Sequence, residues 1–308
     1  LAAQPLLREE DVEKERKIIF QEIVGHTGTV DGYVHNKKLT ILADNHPFGH
    51  CVLGDEVTLN SMSAEMLASA YRLGYDRCRM ALVVCGGMSE SELVEEVLLL
   101  SDTLPQNKLT ARTCGVYQGD LPKWPAIDVT EDIPFTESVT NVLFPRATAI
   151  TFRESVIANM ANSMFGHGGL SSPLMRILRE DRNLVYSADV HSDNYLGGGF
   201  TGFRAKSKKE NISLIMQAFR DVLDDPETRS IERFELIKES KQGEIELQPF
   251  DPDVKTGECE YELLNSFGVH SDDEYFECLK SVVFEEVLEA MKVFSQDKMR
   301  TIIFKGVC

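Results

Sequence analysis

The stretch SMFGHGGLSSPLMRILREDRNLVYSADVHSDNYLGGGFTGF, residues 163–203, decides the fold that this sequence predicts. One predicted helix ends in it at Gly166. After a glycine-rich turn a second helix, 171–182, begins with a serine at its cap and Pro173 in its first turn. The segments LVYSADVHS and GGFTGFRAK that follow predict the two strands of a β-hairpin. Helices and strands follow one another over short distances, which is typical of α/β domains.

Elements of the same kind continue on both sides of this stretch. A strand is predicted at 138–147 and a helix at 153–166 before the glycine-rich turn. Two further helices are predicted after the hairpin, at 209–224 and at 230–247. The second half of the chain therefore contains enough elements for one complete domain.

The order of elements also repeats within the chain. MLASAYRLGYDRCRMALVVCGG (66–87) and VLEAMKVFSQDKMRTIIFKGV (287–307) both predict a helix, then an aromatic residue, then an apolar strand that leads to a glycine. The strand-ending glycines of the two copies are 220 residues apart. A charged amphipathic helix precedes each copy, at 11–23 and at 230–247. This constant offset predicts two related domains.

We therefore predict two homologous α+β sandwich domains, each with a mixed or antiparallel sheet and helices on one face. Residues 1–114 are the remainder of the first domain, 115–136 the linker and 137–308 the second domain. The linker has three prolines, two glycines and no periodicity. Roughly a hundred residues precede the charged helix of the second copy, against about ten in the first. We therefore expect a first domain that is incomplete on its N-terminal side, although an asymmetric fusion would give the same pattern.

The composition excludes several classes of function. The net charge of −18 is unsuited to nucleic acid and to an anionic membrane surface, because no basic stripe is present to contact phosphates. No apolar run approaches the length of a transmembrane helix. The seven cysteines are scattered and include no CxxC pair, which indicates free thiols in a reducing compartment. We expect a cytoplasmic protein, with the mitochondrial matrix as the alternative.

The motifs of residues 163–203 resemble the second domain of the pitrilysin/insulinase family of zinc metallopeptidases, the inverzincins. That family has a glycine-rich turn, SSxL, an Arg–Glu helix end, LxYS and a glycine-led strand. All of these occur here in that order: Gly168–Gly169, Ser171–Leu174, Arg179–Glu180, Leu184–Ser187 and Gly198–Phe200. In the first half, HPFGHCVLGDEVTLNSM (46–62) is similar to the segment HPxG…xGxxExI of the family, and YDRCRMALVVCGGMS to its first-domain closing strand. The resemblance covers nearly the whole chain.

Two glutamates of the first charged helix, Glu15 and Glu22, are seven residues apart, so their carboxylates point the same way on a helix. A solvated acidic edge beside an apolar stripe is the simple interpretation of such a pair. The resemblance implies more, because the family carries the pattern E-R-x(5)-E on this helix. It implies that Glu22 is the third protein ligand of zinc. It also implies that Glu15 is the carboxylate that orients a ligating imidazole.

The sequence departs from the family at the other zinc ligands. The family binds zinc through the two histidines of HxxEH, whose glutamate is the general base. No HxxEH occurs in the 308 residues. Only His46 and His50 are four apart, and Pro47 and Gly49 between them predict a loop, with glycine at the position of the base. We expect HxxEH in the absent front segment, zinc binding only together with that segment, and no peptidase activity of this chain alone.

Arg179 and Tyr186 are also seven residues apart. The resemblance implies that both donate hydrogen bonds to the oxyanion that develops at the substrate carbonyl. The structural alternative is that Arg179 caps the carbonyls of its own helix and Tyr186 fills a strand face.

Two functions follow from the resemblance. The first is a zinc metalloendopeptidase that hydrolyses peptides in a two-domain chamber, completed by the missing segment. The second is a non-catalytic member, either a partner subunit or a core-type structural protein that binds peptide or a homologous subunit. The presence of Glu15, Glu22, Arg179 and Tyr186 together favours the enzyme, because a structural subunit has no evident need for all four.

Overall fold

The computed structural model describes residues 5–43, 49–74, 82–101, 128–146, 151–195, 198–264 and 268–307. The chain divides into two compact units, Leu1–Lys123 and Trp124–Cys308. No helix within the described ranges is long and apolar enough to cross a bilayer.

The described part of the first unit is helical. Its helices are α1 (Glu9–Thr27), α2 (Val30–Ala43), α3 (Glu56–Ser61), α4 (Ala64–Gly74) and α5 (Glu90–Ser101). The sheet predicted for this domain is not found among its described residues.

The predicted closing strand of the first unit differs in the same way. Leu82–Cys85 form no strand, and Leu82 and Val84 are 61% and 46% exposed. A strand requires a neighbour for its N–H and C=O groups, and no described segment of this unit supplies one. The preceding residues 75–81 lie outside the described ranges, as do residues 46–48 of the HPFGH segment.

The second unit contains a mixed five-stranded sheet. Its strands are β1 (Asp128–Ile133), β2 (Ser138–Arg146), β3 (Val185–Tyr195), β4 (Gly198–Ser207) and β5 (Arg300–Gly306). The spatial order is β1-β5-β2-β4-β3, with β1 parallel to β5 and the other pairs antiparallel. The predicted β2, the β3–β4 hairpin and β5 are therefore confirmed, as is the α/β class.

Strand β1 differs from the sequence-based prediction, which placed Asp128–Ile133 in the linker. Three of its six residues are acidic, and it lies at the edge of the sheet, where it needs only one neighbour. Its start is fixed by the Asp128 carboxylate, which accepts hydrogen bonds from the N–H and the hydroxyl of Thr301 on β5. Residues 115–127 of the predicted linker lie outside the described ranges.

Helices pack on one face of this sheet. They are α6 (Phe152–Gly166), α7 (Pro173–Met175), α8 (Ile212–Asp224), α9 (Ile231–Leu247), α10 (Pro252–Leu264), α11 (Asp272–Ser281) and α12 (Phe284–Ala290). Alternate residues of β2 and β4, such as Val142, Phe144 and Phe203, enter a common core with α6, α8, α9, α11 and α12. Their spacing of two is the period at which a strand presents side chains to one face. The predicted helices α6, α8 and α9 are confirmed.

Gly202 is required by the close approach of two central strands. A Cβ atom at this position would lie 2.2 Å from the carbonyl oxygen of Val142 on β2. This distance is impossible for non-bonded atoms, so only glycine allows β4 to pair with β2 at this position.

The internal repeat has a counterpart in local geometry. The N–H of Met62 donates to the Leu59 carbonyl after α3 at 3.3 Å, and the N–H of Val282 donates to the Leu279 carbonyl after α11 at 3.2 Å. The two pairs are 220 residues apart, and both leucines are buried. This offset is the one that the helix–strand copies predict.

Candidate functional site

The two glutamates of the E-R-x(5)-E pattern lie on α1, and both side chains are exposed. The packed side of α1 includes Val12, Ile19 and Ile23, which are the more buried residues of the helix. At about 100° per residue, Glu15 and Glu22 lie roughly a quarter-turn from the centre of that packed side, and about 10 Å apart along the axis. They therefore form a line along the flank of the helix.

Arg16 fixes the rotation of α1 about its axis. Its guanidinium donates to the carbonyl oxygens of Leu59 and of Met62, the latter at 2.7 Å, and so binds α1 to the C-terminal end of α3. The Glu13 carboxylate accepts a further pair of hydrogen bonds from the same guanidinium. Because Glu15 is adjacent in sequence to Arg16, this anchor also determines the side on which the glutamate line lies.

The described residues do not make a zinc site by themselves. Within them, no three histidine, cysteine, aspartate or glutamate side chains are grouped so that they could hold a metal ion. A catalytic zinc needs three protein ligands. Glu22 is one carboxylate without a described side-chain partner, so it could supply one ligand only.

Arg179 belongs to a wide turn that continues α7. In this π turn, Arg176–Glu180, the N–H of Asp181 donates to the carbonyl of Arg176 five residues earlier. Arg176 is bound to acidic groups: its guanidinium contacts the carboxylates of Asp225, Glu227 and Asp181. Arg179 is exposed, and no hydrogen bond or ion pair of its side chain occurs among the described residues. Single π turns are frequent at functional sites.

The chain reverses tightly after this turn and enters β3. The N–H groups of Asn183 and Leu184 donate to the carbonyls of Arg179 and Leu178, at 2.8 and 2.9 Å. Asn183 has a φ of +50°, a left-handed conformation that asparagine tolerates better than most residues. The carbonyls at the helix end are therefore satisfied by the backbone, and the Arg179 side chain is not used to cap them.

Tyr186 is the extra residue of a β-bulge in β3. Val185 lies opposite Ser207 and Ser187 lies opposite Lys206, so Tyr186 has no partner residue on β4. A bulge changes the direction of the side chain that it carries. Tyr186 is 50% exposed and fills no packed strand face. Neither feature of the structural alternative for the Arg179–Tyr186 pair is observed.

The charges of Asp181 and Arg182 suggest a helix end that only contacts solvent, but the structure gives Arg182 a partner. Arg182 forms an ion pair of 2.5 Å with Asp221 on α8, and so ties the reversal to the core helices. The pair therefore supports the segment that carries Arg179 and Tyr186.

A cleft of about 1210 Å³ in the second unit was missed by the sequence analysis. It lies among α6, α9, α10, α11 and β3, and Lys241 and His167 line it. The imidazole Nε2 of His167 is 2.9 Å from the Ser240 hydroxyl and 3.7 Å from the Glu244 carboxylate. Burial lowers the pKa of Lys241, and Glu244 acts in the opposite direction. One feature of the sequence indicates this cleft: Lys241 lies at helical spacing with three apolar residues, Phe234, Ile237 and Ile245.

Comparison with known proteins gives a match over most of the chain. Residues 61–258 match the family described as Peptidase M16 inactive domain. An uncharacterized zinc protease of Streptomyces coelicolor is 25% identical over 232 residues, which are 71% of this chain and 48% of that protein. The chain spans about half the length of the curated relatives that it first matches.

Solved structures show the same fold at low identity. The peptidase M16 inactive domain from Pseudomonas fluorescens has a TM-score of 0.77 at 13% identity, covering 100% of this chain and 73% of that one. A chain of complex III₂ from Candida albicans has a TM-score of 0.66 at 13% identity, covering 95% of this chain and 70% of its own length.

Proposed function

Because this chain belongs to the M16 peptidase family, to whose inactive domain residues 61–258 are matched, we propose that it is part of a zinc metalloendopeptidase. In this proposal Glu22 is one ligand of the zinc, and Glu15 orients a ligating imidazole. Arg179 and Tyr186 of the second unit act on the substrate carbonyl. Curated relatives are named uncharacterized zinc proteases, and these names support zinc as the metal.

The observation that carries the proposal is the contrast between two arginines of one turn. Arg176 is held by three carboxylates, whereas Arg179 is exposed without a described partner. A guanidinium offers five N–H donors in a rigid fork, which suits an oxygen that gains negative charge. A turn that contains both supplies one arginine for structure and leaves the other available to a ligand.

Tyr186 would complete this donor pair. Its phenol is half-exposed, and no described residue accepts or donates a hydrogen bond at its hydroxyl. A phenol O–H is a hydrogen-bond donor that can pair with a carbonyl oxygen. In peptide hydrolysis the carbonyl oxygen becomes an oxyanion, and donors in fixed positions stabilise the transition state more than the ground state.

The other participants are also proposals. The water-activating glutamate and two histidines would come from an HxxEH segment, in the same gene product or in a separate chain. The substrate would be a peptide, and no nucleic acid or membrane is expected to take part. Among the described residues, Cys51, Cys85, Cys259 and Cys278 form no disulfide, in keeping with a reducing compartment such as the cytoplasm or the mitochondrial matrix.

The test begins with the coding sequence upstream of Leu1. We expect an HxxEH about 75 residues before Glu22. The product that includes it should cleave unfolded peptides, and a chelator should abolish the cleavage. The 308-residue chain is the matched control and should be inactive. Chelator-sensitive cleavage by the 308 residues alone, or a complete upstream sequence without HxxEH, would contradict the proposal.

A second candidate is a non-catalytic member of the same family. The matched family is described as an inactive domain, and a chain of complex III₂ from Candida albicans has the same fold. Such a protein would bind peptide or a homologous subunit without hydrolysis. Full-length protein that contains HxxEH and zinc yet cleaves no peptide would favour this candidate.

A further inference from the structure

We propose that the cleft lined by Lys241 binds the C-terminal carboxylate of a peptide that ends in an apolar residue. This site lies in the second unit, requires no metal ion and does not rest on the proposed peptidase activity. It is carried by the contacts of the lysines around the cleft, the charges of its lining and its apolar walls.

Lys241 differs from the neighbouring lysines in its partners. Lys238, one turn earlier on α9, donates to the Val282 carbonyl at 2.8 Å. Lys255 on α10 is bound to the carboxylates of Glu258 and Asp272. Lys241 lines the cleft, and among the described residues its ammonium has no hydrogen bond and no ion pair within 4.0 Å. Lys241 is partly buried, and charged groups that are partly withdrawn from water are commonly paired, so this ammonium is available to an anion from outside the chain.

The nearest charge to consider is Glu244, one turn further along α9. Its carboxylate is 3.7 Å from the Nε2 of His167, and it acts on Lys241 only at longer range. Burial lowers the pKa of Lys241, and Glu244 acts in the opposite direction. A bound carboxylate would act in the same direction as Glu244.

The acidic lining of the cleft limits the charge of the ligand. Most of its carboxylates have partners: Glu258 and Asp272 bind Lys255, Glu262 accepts from the His270 N–H, and Asp251 accepts at the start of α10. Of the two described lysines that line the cleft, Lys255 is bound to carboxylates and Lys241 is left for the ligand. A single carboxylate matches it, whereas a phosphate dianion would bring one more negative charge into an already acidic cleft.

The walls favour a peptide over other carboxylic acids. Val190, Ile245 and Phe250 give the cleft apolar surface that would accept a terminal apolar side chain. Asn159 on α6 also lines it and is exposed, with no described partner for its amide. A side-chain amide can pair with both the N–H and the C=O of a peptide group, whereas an alkyl chain would leave it unpaired.

The internal repeat gives this cleft a counterpart in the first unit. Arg16 and Lys238 donate to the equivalent carbonyls of Met62 and Val282, and a glutamate follows each of them by six residues. These glutamates are Glu22 and Glu244. Counted from these two anchors, Glu244 corresponds to Glu22 at an offset of 222 residues, two more than the offset of the carbonyls, and it lines the cleft together with Lys241.

The test is isothermal titration of the 308-residue chain with N-acetyl-Ala-Ala-Leu-Leu as the free acid and as the C-terminal amide. We expect the acid to bind at least about 10-fold more tightly than the amide, the size of one charge-assisted hydrogen bond. Lys241→Met should remove this preference. Lys238→Met is the matched control, because it removes a lysine one turn away on α9 whose ammonium is bound to the Val282 carbonyl, and it should keep the preference. Decanoate, as an apolar carboxylate without peptide groups, should bind more weakly than the acid peptide.

Equal binding of acid and amide, or no binding of either, would overturn the proposal. The comparison uses the unaltered chain, so it holds even if Lys241→Met fails to fold, which its thermal unfolding would reveal. A folded Lys241→Met that keeps the preference would overturn the role of this lysine. Tighter binding of decanoate than of the acid peptide would overturn the assignment to a peptide.

Discussion

The ammonium of Lys238 donates to the carbonyl oxygen of Val282 at 2.8 Å. Arg16 makes the same contact with Met62 at 2.7 Å in the first unit. In both units a cation on the charged helix binds the carbonyl oxygen of the residue that follows another helix, α3 or α11. The C-terminal end of a helix dipole is negative, so the cation is also stabilised by that dipole. The two units therefore share one device for fixing the charged helix.

Arg16→Met should destabilise the first unit. The change leaves the Leu59 and Met62 carbonyls without their side-chain donor and removes a charged hydrogen bond of about 1.5–3 kcal/mol. Lys17→Met, at the exposed neighbouring position, is the control and should change the free energy of unfolding by less than about 0.5 kcal/mol. Urea unfolding followed by circular dichroism measures both, and equal effects would contradict the anchoring role.

Glu22→Gln in the product that contains HxxEH should remove most of the bound zinc. A neutral amide is a weaker ligand than a carboxylate and no longer balances the charge of the ion. Glu15→Gln should weaken zinc binding by about 10- to 100-fold only, as changes behind the ligands do. Elemental analysis after dialysis against graded chelator separates the two variants. Unchanged zinc in Glu22→Gln would exclude this glutamate as a ligand.

Tyr186→Phe in the same product should lower kcat by about 10²–10³, because one donor to the oxyanion is lost while the ring remains. Its melting temperature should change little, since the side chain is half-exposed. Arg179→Ala should also lower kcat, whereas Arg176→Ala should chiefly lower stability, because Arg176 loses three carboxylate contacts. A Tyr186→Phe enzyme within about twofold of the parent in kcat, ~0.4 kcal/mol in the barrier, would rule out the donor role.

His167 should make stability depend on pH. Burial lowers the pKa of this imidazole, the nearby charges of Lys241 and Arg233 lower it further, and Glu244 opposes them. The unfolded chain therefore binds the proton more readily than the folded chain, so stability is lost as the pH falls from above 6.5 through the folded pKa. His167→Gln should lose less stability between pH 7.5 and 5.5 than the parent. His26→Gln, on the exposed side of α1, is the control for urea midpoints at each pH and should behave as the parent does.

Gly202→Ala should destabilise the second unit by about 1–3 kcal/mol, the range for overpacked sites. The added methyl group would meet the Val142 carbonyl oxygen in the centre of the sheet, where the backbone has no room to move. Gly243→Ala on α9 is the control, because no atom lies within 4 Å of its added methyl group. Alanine is also the better helix former, so this control should be neutral or stabilising. A Gly202→Ala chain as stable as the parent would contradict the close approach of β2 and β4.

The second unit could be predicted from local signals because its elements are marked at their ends. The side chain of Ser172 caps the first turn of α7 through the Met175 N–H, and Pro173 occupies the first helical position, as the sequence indicates. The hairpin of β3 and β4 follows from its residue types and its turn. Strand β1 could not be predicted in this way, because an edge strand of six residues, three of them acidic, resembles a loop until its partner β5 is known.

The candidate residues could be found only through the spacing of motifs. The sequence contains several arginines near residue 179, and nothing local distinguishes Arg179 from Arg176 or Arg182. Ion pairs with residues distant in sequence distinguish the other two: Arg176 pairs with Asp225 and Arg182 pairs with Asp221. Pairing of this kind depends on tertiary structure, and so does the absence of a described partner for Lys241.

The π turn that holds Arg179 and the bulge that holds Tyr186 each contain one residue more than a regular helix or strand requires. In the coding sequence each corresponds to a single codon. Loss of a codon before Arg179 would turn its side chain by about 100° around the helix axis. Loss of one before Tyr186 would move the phenol to the opposite face of the sheet. Two single-codon deletions could thus leave a domain that still folds but directs the side chains of Arg179 and Tyr186 elsewhere.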